Sequence, residues 1–228
     1  CADMIEERKG SAGHGGRREA LMKLIHCADI HLDSPMQTHM TAQQASVRNT
    51  EMLQSFVRLT EFAQERAVRA VLIAGDLFDG ARVRARTVDA LLAAIRRTPE
   101  VDYLYLPGNH DEAANAFCDC ALPENLKVFG KKWTTYRYDG IAISGAQLGL
   151  DAAFYEALPH TDGAVNLVML HGGIGTACAE DVINLKLLKN RGIDYLALGH
   201  IHSYQTGLLD ETGSYCYPGC LEGRGVDE

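Results

Sequence analysis

A chain of 228 residues, 46% hydrophobic and 23% charged, can bury a full-sized core in one globular domain, with room for a small appendage. No apolar run approaches the roughly 18 residues a membrane span needs, and the opening "CADMIEERKGSAGHGGRREAL" lacks the apolar stretch of a secretory signal, so the expectation is a soluble, cytoplasmic protein with no membrane partner. The formal charge of -8 argues against phosphate binding over a broad surface, unless part of the acidity belongs to a cation site, where two divalent ions would halve it. Seven cysteines without a CxxC pair predict reduced thiols acting as small hydrophobes rather than disulfides or a zinc knuckle.

Residues 1–21 are polar and glycine-rich with no hydrophobic period, and are expected to be a disordered extension, with the ordered domain running from Met22 to Glu228. "KLIHCAD" then reads as a short buried strand. Met52, Phe56, Leu59 and Ala63 follow at helical spacing, "VRAVLIAGD" is a β-branched apolar run, Val88, Leu91, Leu92 and Ile95 repeat the helical stripe, and "VDYLYLPGNHD" is the next strand. That rhythm predicts a parallel sheet with covering helices. After Asn125, "LKVFG", "WTTYRYDGIAISGA" with its Asp139-Gly140 turn, and "YQTGLLDETGSYCYPG" look like antiparallel hairpins. Between them "AVNLVMLHGG", the helix-like "EDVINLKLLKNRG" and "IDYLALGHIH" restore strand, helix, strand. Two packed sheets with helices outside is the simplest architecture.

Five apolar runs end in residues that can bind metals: Asp29 and His31, Asp76, Asn109 with His110, His171, and His200 with His202. Singly each has an ordinary reading as a turn residue, a helix cap or a core histidine. Together they sit where the carboxyl ends of the strands form a ligand crevice, so they should converge. All offer nitrogen or oxygen donors suited to first-row divalent metals. A two-ion site needs one bridging carboxylate, and Asp76 is the candidate; such a pair can hold a hydroxide and clamp phosphate oxygens for in-line attack. In an extended backbone His110 points away from Asn109 and can serve as general acid, with Asp111 placed to orient its ring, or His110 is simply a further ligand. Arg82, Arg84 and Arg86 could bring guanidinium groups to a nucleic-acid backbone, or simply line a solvated loop and first helical turn. Tyr204, Tyr215 and Tyr217 could stack on a base, or pack in a hairpin.

"DIH", "GDLFD", "GNHD", "HGG" and "GHIH", in this order, resemble the calcineurin-like metallophosphoesterases from Met22 onward. "LIHCADIHLDSP", "GDLFD" and "YPGCLEGRGVDE" look like the bacterial SbcD and YhaO-type DNA repair nucleases. The resemblance implies an α/β fold, a four-layer α-β-β-α sandwich, and a metal-dependent phosphodiester hydrolase acting as a DNA exonuclease or endonuclease. It implies two divalent ions, manganese ahead of magnesium, iron and zinc. One would be held by Asp29, His31, Asp76 and His202, the other by Asp76, Asn109, His171 and His200, with His110 as the catalytic histidine. DNA as substrate, an SMC-like ATPase subunit and a homodimeric form are the implied partners. Relatives of this kind continue into a capping or DNA-recognition part, which residues 22–228 are expected to lack. Two alternatives stay open: a phosphodiesterase or phosphatase for cyclic nucleotides or other small esters, and a metal-poor scaffold of the same fold.

Overall fold

The computed structural model describes residues 3–7, 22–36, 40–79, 83–111, 116, 117, 120–149, 151–177, 179 and 181–223. Its frame is two sheets laid face to face. The first holds five strands in the order β1 (Asp3–Glu7), β2 (Met22–Cys27), β3 (Ala70–Ala74), β4 (Asp102–Leu106) and β5 (Leu126–Val128). Strands β2 to β5 run parallel, and β1 pairs antiparallel on the edge. The second holds six, ordered β12 (Gln205–Leu208), β13 (Ser214–Tyr217), β11 (Tyr195–Gly199), β8 (Val165–His171), β7 (Ile141–Gly145) and β6 (Thr134–Tyr138). A short parallel pair, β9 (Gly173–Ile174) with β10 (Val182–Ile183), stands apart.

Alternation along the strands sorts the core into layers. Leu24, Leu72, Leu104 and Leu106 meet Ile143, Leu167, Met169 and Ala197 between the sheets. The intervening residues, Ile25, Val71, Ile73 and Tyr103, face outward and are covered by α1 (Ala42–Glu65) and α2 (Ala85–Arg96). The predicted stripes are the faces that pack: Met52, Phe56, Leu59 and Ala63 on α1, and Val88, Leu91, Leu92 and Ile95 on α2, are all buried. Thr41 starts α1 with a capping box, its side chain accepting the Gln44 N–H while the Gln44 side chain accepts the Thr41 N–H at 2.8 Å. Although α1 is long, no helix among the described residues is long and apolar enough to cross a membrane.

Three expectations are corrected. "LKVFG" supplies β5, which pairs parallel with β4 instead of folding back as a hairpin. "EDVINLKLLKNRG" forms β10 and a 3-10 turn, Leu185–Leu187, started by the Asn184 side chain accepting the Lys186 N–H. The outer face of the second sheet is therefore covered by that turn, the five-residue helix α3 (Ala152–Glu156) and loops, with Leu188, Ile193 and Leu209 as the packing residues. Finally, Asp3–Glu7, inside the segment that shows no hydrophobic period, pairs as an edge strand.

Candidate metal centre

The strands that reach the rim between the sheets end in abrupt turns. Asp29, His31 and Asp76 have φ of 52°, 49° and 49°, and His200 has 106°, all in the left-handed region that side chains disfavour. Main-chain bonds hold them there. The Asp29 N–H donates to the Gly75 carbonyl at 3.1 Å and the His31 N–H to the Asp76 carbonyl at 2.9 Å, zipping the loops after β2 and β3 together. Gly75, at φ 92°, and Gly108 are glycines by necessity: a Cβ at the first would strike the His171 ring, and at the second the Asp76 carboxylate and His171 Nε2.

The first sheet brings Asp29, His31, Asp76, Asn109 and His110 to this rim, and the second brings His171, His200 and His202. Donor atoms of Asp29, His31 and His202 lie within 4.8 Å of one another, as do those of Asp29, Asp76 and His171. His31 Nε2 is 3.1 Å from His202 Nε2 and 3.8 Å from Asp76 Oδ2. His171 Nδ1 donates to the Ala74 carbonyl at 2.9 Å, so in the neutral ring Nε2 carries a lone pair. That atom faces Asp76 Oδ2 at 3.3 Å and Asn109 Oδ1 at 2.9 Å, and Asn109 Oδ1 is also 3.4 Å from His200 Nδ1. The His200 N–H donates to both oxygens of Asp29, at 2.9 and 3.0 Å, tying the two sheets together. Eight side chains predicted from five separate motifs thus meet in one place.

Nitrogen and oxygen lone pairs converging on a shared gap, with buried carboxylates among them, fit divalent cations. The proton balance of the side chains alone shows the strain that a cation would relieve. Burial pushes the Asp29 carboxyl up to about 6, against the attraction of His171. Burial also works to raise Asp76, but the hydrogen bond and charge of His171 overcome it and hold Asp76 at about 2. Burial would lower His171, yet its bond to Asp76 and the charges of Asp76 and Asp29 raise it to about 9.

His110 stands at the open edge of the rim, its side chain 47% exposed and its ring centroid 5.3 Å from that of His31. Its N–H donates to Asp76 Oδ1 at 2.9 Å. The expected link from His110 to Asp111 is corrected: Asp111 turns inward, where its carboxylate accepts the N–H groups of Gly108 and Phe78, each at 2.8 Å, and of Leu77 at 3.2 Å. The side chain beside the His110 ring is Asp79, whose Oδ1 is 3.2 Å from Nδ1 and whose Oδ2 accepts the Ser34 hydroxyl at 2.7 Å. Asp79 was legible only as the second aspartate of "GDLFD".

The arginine cluster is also revised. The Arg84 guanidinium is held by Asp33, with Nε donating at 2.7 Å, and Asp33 also accepts the Arg84 N–H and the Thr87 hydroxyl. This pair fastens the start of α2 to the loop after β2. Arg86 is exposed on the first turn of α2, and Arg82 lies outside the described residues. Of the tyrosines, Tyr217 is buried and donates to the Gly172 carbonyl at 2.8 Å, bracing the turn after His171, while Tyr204 is 58% exposed.

Among known proteins, the chain is 28% identical over 227 residues to an uncharacterized metallophosphoesterase, YhaO, of Bacillus subtilis, covering 91% of this chain and 55% of that one. It is 26% identical over 209 residues to the DNA double-strand break repair protein Mre11 of Methanopyrus kandleri, covering 79% and 44%. The chain thus spans about half the length of these relatives. Among solved structures, TT1561 of Thermus thermophilus matches with a TM-score of 0.55 at 13% identity, covering 87% of this chain and 89% of that one. A dimetal phosphatase from Danio rerio matches with 0.54 at 11%, covering 87% of each. At such identities the likeness is one of fold. Since residues 22–204 match the calcineurin-like phosphoesterase model, the stretch that carries every rim residue from Asp29 to His202, the chain belongs to the calcineurin-like phosphoesterase family.

Proposed function

We propose that the chain is a metal-dependent phosphodiesterase that cuts DNA. The reading rests above all on His171, whose Nε2 is pointed at Asp76 and Asn109 from the opposite sheet by its bond to Ala74. Asp29, His31, Asp76 and His202 would hold one divalent ion, and Asp76, Asn109, His171 and His200 a second. When bound, such a pair supplies Lewis-acid polarisation of a phosphoryl oxygen and a water acidic enough to ionise near neutral pH.

The remaining work belongs to the chain. The His110 N–H bond to Asp76 fixes where the imidazole stands, and its exposed face can donate a proton to the oxygen leaving phosphorus. Asp79, whose Oδ1 lies 3.2 Å from Nδ1, orients the ring. Similarity to the DNA double-strand break repair proteins Mre11 favours DNA over small esters, and manganese is the first ion to test. An SMC-like ATPase subunit, a homodimeric form and a cytoplasmic location extend the same reading to the whole protein.

The decisive assay incubates the chain with manganese and linear duplex, single-stranded DNA, a cyclic nucleotide or p-nitrophenyl phosphate. DNA is degraded; Asp76→Ala loses both activity and bound metal, whereas His110→Ala loses activity and keeps the metal. Turnover of the small esters with intact DNA would replace the nuclease reading with the small-ester one. A chain that takes up no divalent ion under reducing conditions would leave only the scaffold.

A further inference from the structure

Beside the metal centre lies a cleft of about 470 Å³, lined by Asn109 and His171 on one side and by Lys131, Gln147 and Gly149 on the other. Adjoining it is a second, more open chamber of about 580 Å³ that shares Lys131 and Gly149 and adds Lys132, Trp133, Asp151 and Phe154. Nothing in the chemistry assigned to the metal centre uses this second chamber.

Its walls are firmly built. The Gln147 N–H donates to the Gly130 carbonyl at 2.9 Å, clamping the loop after β7 to the loop that carries the lysines. The Trp133 indole N–H donates to the Phe154 carbonyl at 2.9 Å, and the two rings stack with centroids 4.8 Å apart. Lys131 and Lys132 are exposed and have no ion-pair partner among the described residues, in a chain of formal charge -8. Asp151, which lines the second chamber, turns its carboxylate to the Phe154 N–H at 2.9 Å and so caps α3. Asp181 lines the first cleft, where its negative charge acts on His200.

We infer that the second chamber is a subsite for the phosphodiester group adjoining the one being cut, with Lys131 and Lys132 as its cationic walls and the Trp133–Phe154 stack as an apolar floor for the attached nucleoside. The substrate is then a polynucleotide strand recognised through successive phosphates, not a lone ester. The inference rests on the phosphodiesterase reading of the metal centre, and it explains how an acidic protein engages a polyanion: attraction is concentrated where the strand must pass.

The test measures binding and cutting separately. Fluorescence anisotropy of a labelled oligothymidylate of roughly 12 nucleotides, with chelator present, compares the 228-residue chain with a Lys131→Ala/Lys132→Ala variant. The expected result is binding weaker by about tenfold or more, with the slope of log affinity against log salt reduced by about 0.7, the contribution of one phosphate no longer neutralised. Lys131→Arg/Lys132→Arg keeps wild-type binding. So does Lys186→Ala/Lys189→Ala, a like change of net charge elsewhere on the surface. With manganese, the double alanine variant loses oligonucleotide cleavage but hydrolyses bis(p-nitrophenyl) phosphate at the wild-type rate. The subsite is refuted if the double alanine variant binds the oligonucleotide as the wild type does, or if Lys186→Ala/Lys189→Ala weakens it equally. A wild-type chain that cleaves neither substrate would refute the phosphodiesterase reading, while the binding comparison would still decide the subsite.

Discussion

His110 and Asp79 form the contact that the sequence order conceals: the ring nitrogen Nδ1 lies 3.2 Å from Asp79 Oδ1, although Asp111 is the aspartate next to the histidine in the chain. Thirty-one positions separate the two partners, and the turn at Asp76 brings them together. Asp79→Asn is expected to lower kcat by about 10- to 100-fold, less than the full contribution of a positioned general acid because His110 itself remains, while metal content measured by mass spectrometry stays at the wild-type level. Unchanged kcat would remove Asp79 from the mechanism.

Asp111 does a different job, and its substitution should fail differently. Its buried carboxylate gathers three main-chain N–H groups from the loops after β3 and β4, so Asp111→Ala strands those donors. Loss of a charged acceptor of this kind costs about 2 to 3 kcal/mol, and chemical denaturation is the measurement. A variant as stable as the wild type, but inactive, would return Asp111 to the catalytic group.

Divalent ions that bind only the folded chain should raise its melting temperature. Manganese at about a hundred times its dissociation constant adds about 2.7 kcal/mol. Asp76→Asn should abolish the upward shift, because it weakens the carboxylate that touches His31, His171 and the His110 N–H. Scanning calorimetry with and without chelator reads this directly.

His26 predicts an acid limb of stability unrelated to catalysis. It is fully buried between the sheets, with Nδ1 3.0 Å from the Tyr195 hydroxyl, and burial lowers its pKa from 6.5 to about 3. The neutral ring is the folded form, so this contribution is complete above pH 6.5 and is lost as the pH falls toward 3. Between pH 7 and pH 5 the wild type should lose about 2 kcal/mol more than His26→Leu, at 1.4 kcal/mol per pH unit below the unfolded value. Parallel stability curves for the two proteins would contradict it.

The strands and helices that carry the rim were legible because β2, β3 and β4 are continuous apolar runs and the two long helices show unbroken stripes. The rim residues were legible because each motif ends such a strand. Partners set by the turns were not: four site residues adopt left-handed backbone, a conformation that Asp and His tolerate but do not dictate, and this geometry directs Asp79 rather than Asp111 to His110. Arg84 illustrates another limit. Three arginines at alternate positions suggest a ligand, but a single carboxylate, Asp33, fifty-one residues earlier, converts one of them into a clasp. "EDVINLKLLKNRG" has the apolar spacing of a helix, yet its apolar residues are spent on β10 and the wall beneath the second sheet.

The donor set is divided between the two sheets, so neither half of the chain carries a complete centre. Everything up to Asn109 belongs to one slab and everything from His171 onward to the other, with the Asp29 to His200 bond as a stitch across the seam. A polypeptide whose slabs have not docked in register therefore lacks the full donor set. Hydrolytic competence becomes a certificate of correct assembly, and slippage at the inter-sheet core should silence the enzyme well before it melts.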